Sequence, residues 1–174
     1  NRGITKFSIF VPMKYLLPLF FLCSLSLSSF SQNIRKKIAE LDTAYYHDDL
    51  ITAKKLIAEI YPAAENKIKD DKEYVSFLNT CGSVYFNTNE FAEAEKYFSL
   101  AAEKAKISLG ENEYHYALAL FNLGACYKEE GRYAEAEPLY LKSLPVLSTA
   151  FGQSSVEYTR CFYSLASLYI DMGR

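Results

Sequence analysis

The sequence predicts an all-α fold, a right-handed solenoid of antiparallel helix hairpins stacked side by side. Three observations carry that prediction. Tyr74, Tyr116 and Tyr158 recur with a constant period of 42, and the text after each is a rewriting of one sentence: SFLNTCGSVYFNTNEFAEAEKYF, LALFNLGACYKEEGRYAEAEPLY and RCFYSLASLYIDMGR. Within each copy the apolar residues recur at helical spacing. Between copies, Gly110 and Gly152 stand one period apart after the apolar Leu109 and Phe151. An internal period of this length fixes the architecture before any single motif is weighed, because each copy can cover its apolar side only by stacking on a neighbour.

The central copy shows the logic most clearly. Leu120, Leu123, Gly124 and Tyr127 fall at i, i+3, i+4 and i+7, along one stripe of a helix. Gly131-Arg132 breaks that helix, and Tyr133, Ala136 and Tyr140 mark a second. Small Gly124 and Ala136 belong where the paired helices come closest, since a larger side chain would push the axes apart. The preceding copy repeats the pattern with Leu78, Cys81, Gly82, Tyr85, Phe91, Ala94 and Phe98, and the following one with Phe162, Leu165, Ala166 and Tyr169. Gly110 and Gly152 read as left-handed helix stops. Ser154 to Glu157 has capping-box spacing, and Asn112 suits the equivalent cap one copy earlier.

A degenerate first copy lies upstream. Residues 44–56 (AYYHDDLITAKKL) parallel residues 84–97, with one residue fewer in the turn, which places His47 opposite Asn87. Its charged helices suit a terminal repeat that must face water. Pro138 falls near the first turn of its helix, where a missing N–H costs little, whereas Pro145 lies deeper. An interior proline costs ~3 kcal/mol, so a bend is expected near Leu141 to Pro145.

The N-terminal residues read differently. Met13 is followed by Lys14, an apolar stretch from Tyr15 to Leu22, and a Ser-rich tail ending Ser29-Phe30-Ser31. This is the pattern of a secretory signal cleaved before Gln32, which places the protein in the periplasm or outside the cell. A membrane span competes, but the apolar core is about half of the ~20 residues a bilayer needs. Lipidation at Cys23 is disfavoured by the bulky Leu22 before it. The resulting division is an upstream segment at 1–12, a signal at 13–31, a capping hairpin at 32–73, repeats at 74–115 and 116–157, and the first helix of a further repeat at 158–174.

Composition then narrows the function. The whole chain carries a net charge of −2; without Arg2, Lys6 and Lys14 of the segment 1–31, 16 Lys and Arg face 21 Asp and Glu, a balance of −5. With no basic cluster, nucleic acid is excluded as a partner class. Cys81, Cys126 and Cys161 lie on apolar helix faces without paired metal-ligand spacing. They read as small buried residues, with a disulfide left open. His47 and His115 are the only histidines, at a turn and a helix start, and neither has a cysteine partner at an equivalent place. No catalytic constellation, metal site, cofactor site or Gly-rich phosphate loop is expected.

What remains is a surface. First-helix residues facing away from the apolar stripe are Asn79, Ser83, Phe86 and Asn87, then Phe121, Asn122, Ala125 and Lys128, then Tyr163, Ser167 and Ile170. Amides and hydroxyls beside aromatics suit the regular donors and acceptors of an extended peptide, and Asn79, Ser83, Asn87, Asn122, Lys128, Tyr163 and Ser167 are the candidate binding residues. Ordinary exposed helix residues would give the same letters.

Leu120, Leu123-Gly124, Tyr127, Ala136 and Tyr140 resemble the tetratricopeptide repeat signature, and the long repeat unit with LFNLGACY and GRYAEAEPLYLKSL resembles the kinesin-light-chain type. The resemblance is strong from Tyr74 onward and weak before it. It implies a protein-interaction scaffold that binds a peptide or protein, with no membrane contact in the mature segment. It further implies the N-terminal part of a longer bacterial protein, with a regulatory arm for a downstream CHAT-type peptidase, or the sensor region of a signalling protein, as the alternatives. A last helix lacking its hairpin partner adds self-association. The sequence departs from the type in two places. The connectors lack its His-Pro, and the first-helix Asn pair is incomplete at Asn79-Thr80, Phe121-Asn122 and Tyr163-Ser164.

Overall fold

The computed structural model describes residues 32–68 and 70–173. The upstream segment and the signal-like run lie outside the described residues. Seven helices follow one another: α1 (32–46), α2 (Leu50–Lys67), α3 (Asp71–Asn87), α4 (Phe91–Ser108), α5 (Tyr114–Glu129), α6 (Tyr133–Phe151) and α7 (Val156–Asp171). No strand occurs among the described residues. Helices α1/α2, α3/α4 and α5/α6 form hairpins 1, 2 and 3, and α7 packs on hairpin 3 through buried Cys161, Leu165 and Leu168.

Each hairpin closes through one residue with positive φ: Asp48 (58°), Asn89 (59°) and Gly131 (75°), with Gly173 (70°) after α7. Asp and Asn tolerate this conformation better than other residues that carry a Cβ. These four positions give the true register, with spacings of 41, 42 and 42. They also correct the lettering of the first copy. The turns of hairpins 1 and 2 are equally long, and His47 stands opposite Thr88, not Asn87. The missing residue lies instead after α2: the helix ends Lys67 and Asp71 are closer in sequence than Ser108 and Tyr114 or Phe151 and Val156 in the later copies.

Paired helices approach at glycine. A Cβ on Gly82 would lie 2.5 Å from Phe98 Cε1, and one on Gly124 2.9 Å from Tyr140 Cε1. Phe98 and Tyr140 are buried, each contributing ~1.5–3 kcal/mol of burial, and the bare glycine face is what admits them. In α7 Ala166 takes the glycine place. There Phe162 is 50% exposed, where its counterpart Leu120 in α5 is 5% exposed beneath α6.

Helix ends depart from expectation in detail. Ser155, not Ser154, caps α7: its Oγ accepts from Tyr158 N at 3.2 Å, so the capping box from Ser154 does not form. Asn112 is an exposed connector residue, and Glu113 occupies the cap of α5 without a side-chain bond. Asp49 and Asp70 cap α2 and α3 through Thr52 N and Glu73 N. Gly152 sits at φ 84°, ψ 158°, outside the left-handed helical well and in a region essentially reserved for glycine.

Pro138 is the sixth residue of α6, beyond the first turn, and α6 continues through it and through Pro145 to Phe151. Pro62 stands inside α2 at the same register place as Pro145, each following its own turn residue, Asp48 or Gly131, at the same interval. Both prolines are exposed, as are Ala58 and Leu141, whose carbonyls lose their helical donors. Water can serve those carbonyls, which explains why this face tolerates proline. Cys81, Cys126 and Cys161 are free and fully buried, so the disulfide left open by the sequence is not formed.

Candidate peptide-binding groove

Helices α1, α3, α5 and α7 share one face of the stack. Every junction between neighbouring first helices is stitched by a polar contact beside the groove, in addition to the ion pairs Arg35–Glu73 and Lys72–Glu113. Thr80 Oγ1 donates to Asp42 Oδ1 at 3.2 Å (α3 to α1), and Asn122 Nδ2 donates to Asn79 Oδ1 at 3.2 Å (α5 to α3). Lys128 Nζ pairs with Asp171 Oδ2 at 3.1 Å (α5 to α7). Asn79 is 6% exposed, and its Nδ2 donates to Val75 O, so both ends of the amide are occupied. Burial without those partners would cost ~1–3 kcal/mol; this asparagine therefore holds the groove floor together.

Three hollows lie between these stitches. Ser83, Phe86, Asn87, Phe121, Asn122 and Ala125 line the first with Tyr45. Ser76, Asn79, Thr80, His115 and Leu118 belong to a second, and Ala125, Lys128, Thr159, Tyr163 and Ser164 to a third. The structure thus gathers Asn79, Ser83, Asn87, Asn122, Lys128 and Tyr163 along one groove, with Asn87 and Tyr163 the most exposed of them. Ser167 is half-buried on α7 and lines none of the three hollows.

Two groove residues were not evident in the sequence. Tyr45 shares its register with Phe86, Lys128 and Ile170; the displaced turn alignment had put Tyr46 there, a residue 88% exposed. Arg160 lines all three hollows. Its guanidinium carbon lies 5.5 Å from the Phe121 ring centroid, and it makes no ion pair among the described residues. The signal for it was present: Arg160 falls one period after Leu118 and two after Ser76, both of which line the same hollow.

His115 is 5% exposed, and its Nδ1 lies 3.6 Å from Glu113 Oε2, too long for a hydrogen bond. Burial holds the imidazole below its ordinary pKa, against the opposing pull of Glu113. Burial also raises the thiols, Cys126 to about 12, which keeps them protonated. Among the described residues no group of three or more His, Cys, Asp or Glu is placed to hold a metal ion, and no helix is long and apolar enough to cross a membrane.

The sequence matches the family described as Tetratricopeptide repeat over residues 74–149 and again over 116–174, together more than half of the chain. It belongs to that family. Repeats of this fold are protein-interaction scaffolds, typically without catalysis. The stack is similar to BtubC (BKLC) from P. vanneervenii, with a TM-score of 0.64 at 18% identity over 84% of this chain and 66% of that one. It is also similar to a Podosopora anserina protein described as a putative kinesin light chain with nearly identical TPR-like repeats. There the TM-score is 0.70 at 12% identity, over 82% of this chain and 68% of that one. A single-substitution variant of the latter gives the same values. At these identities the likeness concerns the fold, and this chain spans just under two thirds of BtubC. No curated protein sequence matches.

Proposed function

We propose that this tetratricopeptide array binds an extended peptide segment of a partner protein in the groove lined by α1, α3, α5 and α7. One observation carries the reading: Arg160 is a cation without an ion-pair partner among the described residues, and it borders all three hollows. Around it lie Ser83, Asn87 and Asn122, whose hydroxyl and amide groups suit a peptide backbone. Tyr45, Phe86 and Phe121 supply apolar surface beside them.

A peptide array probed with the wild-type protein, Asn87→Ala and Arg160→Ala tests this. Both side chains are exposed, so neither change disturbs the stack. Binding lost in both variants supports the groove; binding indifferent to both moves the site to the outer surface. Asn122→Ala is a poor probe, because it orphans the buried Asn79 Oδ1. The signal-like run at 13–31 supports an exported location, which N-terminal sequencing of the mature protein tests. Exposed Phe162 and Ile170 on α7 support self-association, which light scattering across a concentration series tests.

A further inference from the structure

The two junctions between complete hairpins use one ion-pair position with opposite polarity. At the first, Lys54 of α2 pairs with Glu90, the residue after the turn of hairpin 2. At the second, Glu95 of α4 pairs with Arg132, the residue after the turn of hairpin 3, at 2.8 Å. Lys54 and Glu95 each follow their own turn residue by six places, and Glu90 and Arg132 by one. The two pairs therefore occupy the same location, with donor and acceptor exchanged.

The cation sits over the same repeat tyrosine in both. Lys54 Nζ lies 5.2 Å from the Tyr85 centroid, and Arg132 Cζ 3.9 Å from the Tyr127 centroid. At the second junction Tyr127 Oη also donates to Glu95 Oε1 at 3.0 Å. Each junction thus joins two hairpins through a carboxylate, a cation and a ring.

We propose that this reversed polarity sets the order in which hairpins stack, and that it keeps hairpin 2 of a second copy from docking on α4 in place of hairpin 3. In that wrong pairing Glu95 would face Glu90. The turn of hairpin 2 offers no cation in compensation: Thr88 and Asn89 precede Glu90, with Thr88 Oγ1 donating to its carboxylate, Phe91 and Glu93 follow, and Lys96 is engaged with Glu93. The other misordering, hairpin 3 on α2, is opposed less strongly. Lys54 would meet Arg132, but Glu130 and Glu135 surround that guanidinium. The discrimination therefore resides mainly in Glu95 against Glu90.

The test gives both junctions one polarity. In Lys54→Glu/Glu90→Arg the first junction keeps an ion pair and copies the second, with Glu93 placed to hold Arg at 90 as Glu135 holds Arg132. Glu95 of one molecule then accepts hairpin 2 of another. Refolded from urea over a concentration series and measured by light scattering, this variant is expected to form about tenfold more exchanged dimer than wild type at unchanged melting temperature. A dimer fraction equal to wild type overturns the proposal. Should the double variant fold poorly, Glu90→Gln and Lys54→Met separate charge from stability, since both lose the first bridge and only Glu90→Gln removes the repulsion against Glu95. Dimer must then rise in Glu90→Gln and not in Lys54→Met; an equal rise in both refutes the idea.

Discussion

Adding one methyl group at Gly82 probes the closest approach in the stack. Alanine improves helix propensity over glycine by ~1 kcal/mol, so on local grounds Gly82→Ala should stabilise α3. Packing opposes it. The new Cβ would lie 2.5, 2.6 and 2.8 Å from three carbons of the Phe98 ring, closer than such contacts occur. Phe98 is buried and shares its pocket with Ala94, Leu123 and Cys126, so the ring cannot swing aside without moving neighbours from both hairpins. Overpacking costs ~1–3 kcal/mol; contacts this short belong to the upper part of that range, ~2–3 kcal/mol, which leaves a net loss of ~1–2 kcal/mol. Gly124→Ala is the internal control. Its nearest contacts are 2.9 and 3.1 Å to the Tyr140 ring, then an ordinary 3.4 Å to Leu139 Cβ, so the two effects nearly cancel. Urea and thermal melts should place Gly82→Ala ~3–6 °C below wild type and Gly124→Ala within ~2 °C of it. Amide exchange should quicken first in α3 and α4, because repeat stability is set by each hairpin and its neighbours. Equal or greater stability of Gly82→Ala, or a larger loss in Gly124→Ala, would refute the reasoning.

Pro145→Ala restores an N–H toward Leu141 O and should raise the melting midpoint, with a gain bounded by the ~3 kcal/mol cost of an interior proline; Pro62→Ala should behave alike in the same melts. The three thiols should react with a disulfide reagent at about pH 8 only as fast as the chain opens, because all are fully buried and burial raises their pKa values; rapid labelling of native protein would contradict the core packing. Stability should begin to fall as pH drops below about 6.5, the ordinary histidine value, because His115 is held neutral when folded and binds its proton more readily when unfolded. His115→Gln should remove that first decline in a pH series of melts. A second decline should begin near 4.5, the ordinary value for Glu59, Glu90, Glu111, Glu113 and Glu135. Their ion pairs depress these carboxylates when folded and are lost as each protonates.

The hairpins, their close approach at glycine and most of the groove were legible because repetition exposes them. Gly82 and Gly124 can be aligned by eye, and their aromatic partners Phe98 and Tyr140 follow at the same interval. The first copy was harder, since its turn residue is Asp48 where later copies have Asn89 and Gly131. What these share is a backbone angle, which the letters do not display, and the one-residue shift sets Tyr46, in place of Tyr45, opposite Phe86. Caps were misplaced for a related reason: Ser154 and Ser155 offer the same hydroxyl, and only the path of the chain after Gly152 selects between them. Arg160 was not evident because the two preceding copies carry Ser76 and Leu118 there and only Arg35 of the shifted first copy is a cation, and the stitches between first helices join residues at unequal register places.

The Asn79–Asn122 bond lies in the groove and spans two hairpins at once. A ligand resting on Asn122 consequently recognises the docked arrangement of α3 and α5 and has less to hold when they separate. Its binding free energy is therefore added to the cohesion of that junction. Occupancy lengthens the lifetime of the stack, and anything that loosens the junction is felt as a weaker affinity. Under the proposed binding mode, gripping a peptide and gripping the neighbouring hairpin would be two readings of one equilibrium.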